Sequence, residues 1–196
     1  MSDRTFSIAL IGGICAGKSI FARHFSDLGA QVISADQFVK QLWSDQSIQA
    51  QVQDLFACPA ETFSLSYVRQ VILQDPSKRR ELEMLLHPII FEQVEAHINN
   101  SQATYCLVEM PLYVEINCPI KFDRVLLIDV PEQLQVERML LRNLSEDQAK
   151  QFLSIQAMRK QRYQVANEVI WNTITKENIA KVVHRLDRHY QLLSAN

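Results

Sequence analysis

Eight consecutive residues, Gly12-Gly13-Ile14-Cys15-Ala16-Gly17-Lys18-Ser19, fit the pattern G-x-x-x-x-G-K-[ST]. Each fixed position has a chemical reason. A loop whose backbone N–H groups close on a phosphate must keep side chains away and take φ angles open to glycine. A helix starting near Lys18 turns its positive end toward the anion. Lys18 then bridges the β- and γ-phosphates of a nucleotide, and the Ser19 hydroxyl ligates Mg²⁺. The chain has only four glycines, and three of them fall here. The pattern therefore reads as a nucleotide-binding loop with ATP and Mg²⁺ as its ligands, the plain alternative being an ordinary strand-to-helix turn.

Transfer of a phosphoryl group needs a base for the acceptor hydroxyl and cations over the γ-phosphate. Asp36 follows a short apolar segment, where open α/β sheets place their ligands, and suits the base; it would equally suit a helix cap ahead of Gln37. Arg138 and Arg142 are four apart, which puts them on one helix face ahead of the polar stretch Asn143–Gln148. They read as a mobile phosphate clamp or as a solvated face. Arg159 and Arg162 form a second basic pair with the same two readings. Glu109 ends a strand and suits a carboxylate for Mg²⁺ or its waters, or an exposed strand-end charge. His87 precedes Pro88 and reads as a capping or packing side chain before a helix breaker. Cys15 lies near a helix N-terminus and reads foremost as a small side chain.

These residues need elements to hold them. Phe6–Ile11, Gln31–Ile33, Tyr105–Val108, Arg124–Val130 and Val169–Trp171 are short apolar runs of strand type. Between them the spacing predicts helices over 18–28, 37–43, about 132–142, about 146–165 and about 175–193, with Gly29 as a stop after the first. Residues 47–99 are helical in period with breaks near Pro59 and at Asp75-Pro76, too long for one crossover and therefore an inserted subdomain. Strands alternating with helices predict an α/β fold, a parallel sheet with helices on both faces.

Composition narrows the setting. The 196 residues carry a formal net charge of -2 with a pI near 6.2, so no electrostatic footprint of a nucleic-acid binder is present. The N-terminus has neither a basic nor a long apolar region, and no apolar run approaches the ~20 residues of a membrane helix. Four scattered cysteines without a C-x-x-C pair read as reduced thiols of a cytoplasmic protein.

Taken together, LIGGICAGKS, FxxLGAxVISADxFVKQ, Leu85-Leu86-His87-Pro88, Met110-Pro111-Leu112-Tyr113-Val114-Glu115, Asp123–Val130, Gln133-Leu134-x-x-x-Arg138-x-x-x-Arg142, Gln156-Ala157-x-Arg159-x-x-Arg162 and Val169-Ile170-x-Asn172 resemble the dephospho-CoA kinases in order and spacing. The resemblance runs from the first strand to about residue 172. It implies a P-loop kinase that transfers the ATP γ-phosphate to the ribose 3′-hydroxyl of dephospho-CoA. It also implies a single chain with a core over about 1–36, 101–138 and 156–196, a helical acceptor-binding subdomain over about 37–100 and a lid over about 139–155. On it, Asp36 takes the place of the general base, Arg138 of an arginine on the transferring phosphates and Arg142 of a lid arginine; Lys18 joins them in catalysis. Gly12 through Ile20 and Arg142 hold the nucleotide, and Ser19 and Glu109 the metal. Small-molecule substrates, no nucleic acid, no membrane and a monomer or weak homo-oligomer are the expected partners and assembly.

The chain departs from the family pattern at several places. Cys15 and Ala16 replace the usual Gly-Ser, Ile20 and Ile11 replace threonines, and Ser34 replaces the first Asp of D-A-D. Leu65 stands where Arg is frequent, Asn143 and Asn167 replace acids, and the loop around Cys58–Phe63 is about four residues short. Two other readings stand beside this one: a kinase for another nucleoside or nucleotide, and an ATP-binding paralogue without catalysis. No N-K-x-D occurs, which disfavours a GTPase.

Overall fold

The structure is a computed structural model that describes residues 4–58, 61–173 and 175–195. Five strands form one sheet: β1 (Phe6–Ile11), β2 (Gln31–Ser34), β3 (Tyr105–Glu109), β4 (Arg124–Asp129) and β5 (Glu168–Trp171). They run in the order β2-β3-β1-β4-β5, and every pairing is parallel. The predicted parallel α/β sheet is therefore present, with all five apolar runs in it.

Burial on both faces explains why these strands read as continuous apolar runs. Ile8, Leu10, Leu107, Leu126 and Ile128 pack in one cluster with Phe21, Ala22 and Phe25 of α1 (Lys18–Asp27) and Ile179, Val183 and Tyr190 of α9 (Lys176–Ser194). The alternating set Ala9, Ile11, Cys106, Val108, Val125 and Leu127 points the other way and is buried as well. On that second face Asp129 meets α8 (Arg159–Val165). α6 (Glu132–Leu140) follows β4, and α7 (Glu146–Ile155) packs on α6.

By its contacts the chain divides into two compact units, Met1–Ser34 with Ala96–Asn196, and Ala35–Glu95. The second unit is helical: α2 (Ala35–Leu42), α3 (Gln46–Phe56), α4 (Leu65–Gln74) and the greater part of α5 (Pro76–Asn99). Its interior is made of Phe38, Leu42, Ile48, Val52, Phe56, Val68, Leu82, Leu86 and Ile90. The break at Asp75-Pro76 is present, Asp75 ending α4 and Pro76 opening α5. The break near Pro59 lies outside the described residues, as does part of the Cys58–Phe63 loop.

Three sequence expectations are corrected. Pro88 does not end a helix but lies inside α5, with His87 stacked 5.5 Å from Phe91; a proline there deletes one ladder bond and the remaining turns carry the helix through. The single helix expected over 146–165 is two, because Gln156 and Met158 are extended at ψ 151 and ψ 144. Ala157 N donates to Glu115 Oε1 at 2.7 Å and Ala157 O accepts from Arg162 at 2.6 Å, so tertiary bonds replace the helical ladder there. α2 starts at Ala35 rather than at Gln37, so Asp36 lies in its first turn and is not its cap. No helix among the described residues is long and apolar enough to cross a membrane.

Candidate active site

The turn between β1 and α1 shows why its three glycines are glycines. A Cβ on Gly12 would lie 2.3 Å from the Ile128 carbonyl oxygen of β4. One on Gly13 would lie 2.2 Å from Gln135 Nε2 and 3.0 Å from Gln156 Oε1. Gly17 has φ +97, and its Cβ would lie 2.3 Å from Asn172 Nδ2. The demand for small residues thus comes from the protein groups behind the loop as well as from any phosphate in front of it. Gly13 is outside the positive-φ residues; close approach, not backbone freedom, is what it supplies.

The loop's carbonyls are held from behind. Arg138 donates to Cys15 O at 3.0 Å, Ala16 O at 3.3 Å and Asn172 O at 3.0 Å. Asn172 Nδ2 donates to Ala16 O at 2.7 Å, and Gln135 Nε2 to Ile14 O at 2.7 Å. Lys18 Nζ folds back onto Gly12 O at 2.9 Å and Gly13 O at 3.1 Å. Two of the loop's N–H groups are held as well, Ile14 N by Gln156 Oε1 at 3.1 Å and Ala16 N by Gly13 O at 3.2 Å. α1 opens at Gly17 with no side-chain cap and no acid in its first turn, which leaves its positive end uncovered for an anion.

Ser19 and Glu109, from α1 and the end of β3, meet: Ser19 Oγ donates to Glu109 Oε2 at 3.4 Å on an exposed edge. Mg²⁺ binds through one or two protein oxygens and keeps several waters, so a hydroxyl beside a carboxylate next to a phosphate loop fits it. Asp129, buried at the end of β4, is engaged: Arg159 and Tyr163 donate to its Oδ2 at 2.6 and 2.7 Å.

The remaining candidates fall elsewhere. Arg138 is in the last turn of α6, whereas Arg142 lies beyond the helix end at Leu140, exposed and next to Asn143 at φ 63. The two therefore do not share a helix face. Ile20 is exposed on α1. Asp36 is exposed in the second unit, two residues along the chain from Ser34, the register partner of Glu109. Arg159 and Arg162 are not a solvated pair. Arg159 lies 4.4 Å over the Trp171 ring as well as on Asp129, and Arg162 is 5% exposed. Burial pulls the Arg162 pKa down while Glu115 and Asp129 oppose the shift.

Gln135, Gln156 and Asn172 are the site residues that reading for chemistry overlooked, because a neutral amide titrates nothing and carries no charge. Two of them, Gln156 and Asn172, stand in the motifs quoted above, which was the available signal.

Known proteins can be set beside this geometry. Residues 6–177 match the family model described as dephospho-CoA kinase. A dephospho-CoA kinase of Coxiella burnetii is 35% identical over 190 residues, covering 93% of this chain and 96% of its own length. That of Nitrosomonas europaea is 33% identical, covering 95% and 96%. Among solved structures, a Thermus thermophilus protein superposes with TM-score 0.83 at 20% identity, covering 95% of this chain and 98% of its own. A shikimate kinase of Acinetobacter baumannii superposes at 0.55 and 12% identity, covering 94% of each chain, which supports the P-loop kinase-like fold. The match over nearly all of the sheet-bearing chain, with the phosphate loop in its place, means that this chain belongs to the dephospho-CoA kinase family.

Proposed function

We propose that the chain phosphorylates the ribose 3′-hydroxyl of dephospho-CoA from Mg-ATP, giving CoA and ADP. The observation that carries this is the phosphate loop itself, with its carbonyls turned to Arg138, Asn172 and Gln135 and its helix end uncapped, beside the Ser19–Glu109 pair. The loop's N–H groups and the α1 N-terminus hold the β-phosphate. Lys18 leaves Gly12 O and Gly13 O, both carbonyls of the same turn, to reach the β- and γ-phosphates. Ser19 and Glu109 would hold Mg²⁺, directly or through water, and the ion would neutralise charge on the β- and γ-oxygens.

Asp36 takes the proton of the acceptor hydroxyl as its oxygen bonds to the γ-phosphorus. The bond from that phosphorus to the β–γ bridging oxygen breaks, and ADP leaves with the electron pair. Arg142, in the turn between α6 and α7, is the lid arginine of this reading; residues 139–155 close over the phosphates and exclude water. Arg138 acts from behind, fixing the Cys15 and Ala16 carbonyls. Four cysteines without a disulfide and small charged substrates support a cytoplasmic setting for this reaction.

The test is ADP release from Mg-ATP by the purified protein with and without dephospho-CoA, beside a panel of nucleosides and nucleotides. Release that depends on dephospho-CoA, with CoA as product, is the expected result. Release that depends on another acceptor instead overturns the assignment of substrate.

A further inference from the structure

Ile14 is gripped on both sides by side-chain amides, one on its peptide to Gly13 and one on its peptide to Cys15. Gln135 Nε2 donates to Ile14 O at 2.7 Å, and Ile14 N donates to Gln156 Oε1 at 3.1 Å. Gln156 Nε2 donates in turn to Gln135 Oε1 at 3.4 Å, which closes a ring of three hydrogen bonds. Gln135 is 3% exposed, so its amide has little water to exchange with and its loss would take from the Ile14 carbonyl a donor that water does not readily replace. Gly13 is the residue over which the two amides lie, and a methyl there would overlap both.

The placement of the two glutamines is informative. Gln135 belongs to α6, and Gln156 is the residue that ends α7. The hairpin that carries Arg142 therefore puts one glutamine from each end onto a single residue of the phosphate loop, each on one of its two peptides. A segment fastened at both ends to the loop cannot shift without turning those peptides, and they cannot turn without moving the segment.

We infer that Gln135 and Gln156 are positioning residues that set the orientation of the two peptides flanking Ile14, and with it the loop's affinity for the polyphosphate of ATP. The inference rests on the phosphate loop binding ATP, as proposed above, but not on the identity of the acceptor. Because the two amides hold one residue and also bond each other, their effects on ATP binding are shared rather than separate.

The experiment uses the full chain with Gln135→Met, Gln156→Met and the double variant, which keep side-chain length and remove the hydrogen bonds. ATP affinity is measured by titration calorimetry with Mg²⁺ present, alongside kcat, the KM for ATP and thermal unfolding without nucleotide. Each single variant is expected to weaken ATP about five- to tenfold, as for one or two net hydrogen bonds, with KM rising in step and kcat changing less. The double variant is expected to bind ATP about as weakly as either single one. Unchanged ATP affinity, additive losses in the double variant, or weakened binding that merely follows a fall in thermal stability would each overturn the inference. Failure of the wild type to use dephospho-CoA would refute the proposed substrate while leaving these affinities just as decisive.

Discussion

Gly12→Ala should destabilise the ligand-free protein far more than Gly29→Ala, although both glycines have positive φ. Gly29 follows the end of α1 at φ +94, its N–H bonded to Ser26 O and that of Ala30 to Phe25 O, and a Cβ there meets nothing within 4 Å. Its replacement isolates the cost of a left-handed backbone with a side chain, about 1–2 kcal/mol. At Gly12, φ +152, the new Cβ would stand 2.3 Å from Ile128 O, where real Cβ atoms essentially never come within 3.0 Å. The offending atom is the backbone of β4, so no rotamer change relieves it. The end of β1 must part from β4 near the Ile11–Leu127 register pair. Overpacking costs about 1–3 kcal/mol and one lost ladder bond about 1 kcal/mol, so about 2–4 kcal/mol is expected beyond the cost of the positive φ itself. Urea unfolding followed by circular dichroism, compared at equal slope, measures both variants. A Gly12→Ala loss within about 0.5 kcal/mol of the Gly29→Ala loss, the scatter of a neutral surface change, would refute the claim that close approach to β4 is what the first loop glycine is for.

Other consequences are as direct. Asp36→Asn should lower turnover ~10²-fold or more with ATP affinity little changed, the range for removing a positioned base; near-native turnover would leave Asp36 an ordinary first-turn acid. Glu109→Gln should raise the Mg²⁺ concentration needed for half-maximal rate, because it removes the carboxylate beside the Ser19 hydroxyl; an unchanged Mg²⁺ requirement would remove Glu109 from the metal site. Burial, then the bond from its OH to Asp187, raises the Tyr105 pKa above the usual 10.0; burial, then the Glu168 carboxylate, does the same for Tyr190. The folded state therefore keeps protons that the unfolded chain gives up, so stability is full below about pH 10 and falls as pH rises beyond it. Tyr105→Phe should flatten that fall while costing about 1–3 kcal/mol at neutral pH, because Asp187 loses a buried 2.6 Å donor; pH-resolved urea unfolding checks both parts.

The strands were legible because sheet burial on two faces leaves a local mark: five short apolar runs bounded by turn residues. The phosphate loop was legible for a similar reason, since its constraints fall on eight contiguous positions. What reading along the chain could not see was set by distant partners. The chain stays extended at 156–158 because Glu115 and Arg162 supply bonds to Ala157 from elsewhere. Arg159 looked like half of an exposed basic pair until Asp129, thirty residues earlier in the chain, claimed it. Arg138 and Arg142 have helical spacing, but the helix ends between them, and spacing cannot report an end that carries neither glycine nor proline. The glutamines and Asn172 were missed for a chemical reason, because a search for titratable groups passes over amides.

The same geometry accounts for Cys15 and Ala16, which stand where the family usually has Gly-Ser. Cys15 has φ 54, a left-handed value that glycine takes freely and a residue with a Cβ takes at a cost of about 1–2 kcal/mol. That conformation persists only when its surroundings over-determine it. Here they do: Arg138 holds the carbonyls of residues 15 and 16, Asn172 holds the second again, and Ile14 before them is gripped by two glutamines. Ala16 is 1% exposed, so its methyl fills space behind the loop and takes part in the core cluster under α1. The strain in the loop is thus borne by its protein neighbours. A cysteine and an alanine can replace the more usual pair here because the scaffold at Arg138, Asn172, Gln135 and Gln156 is complete.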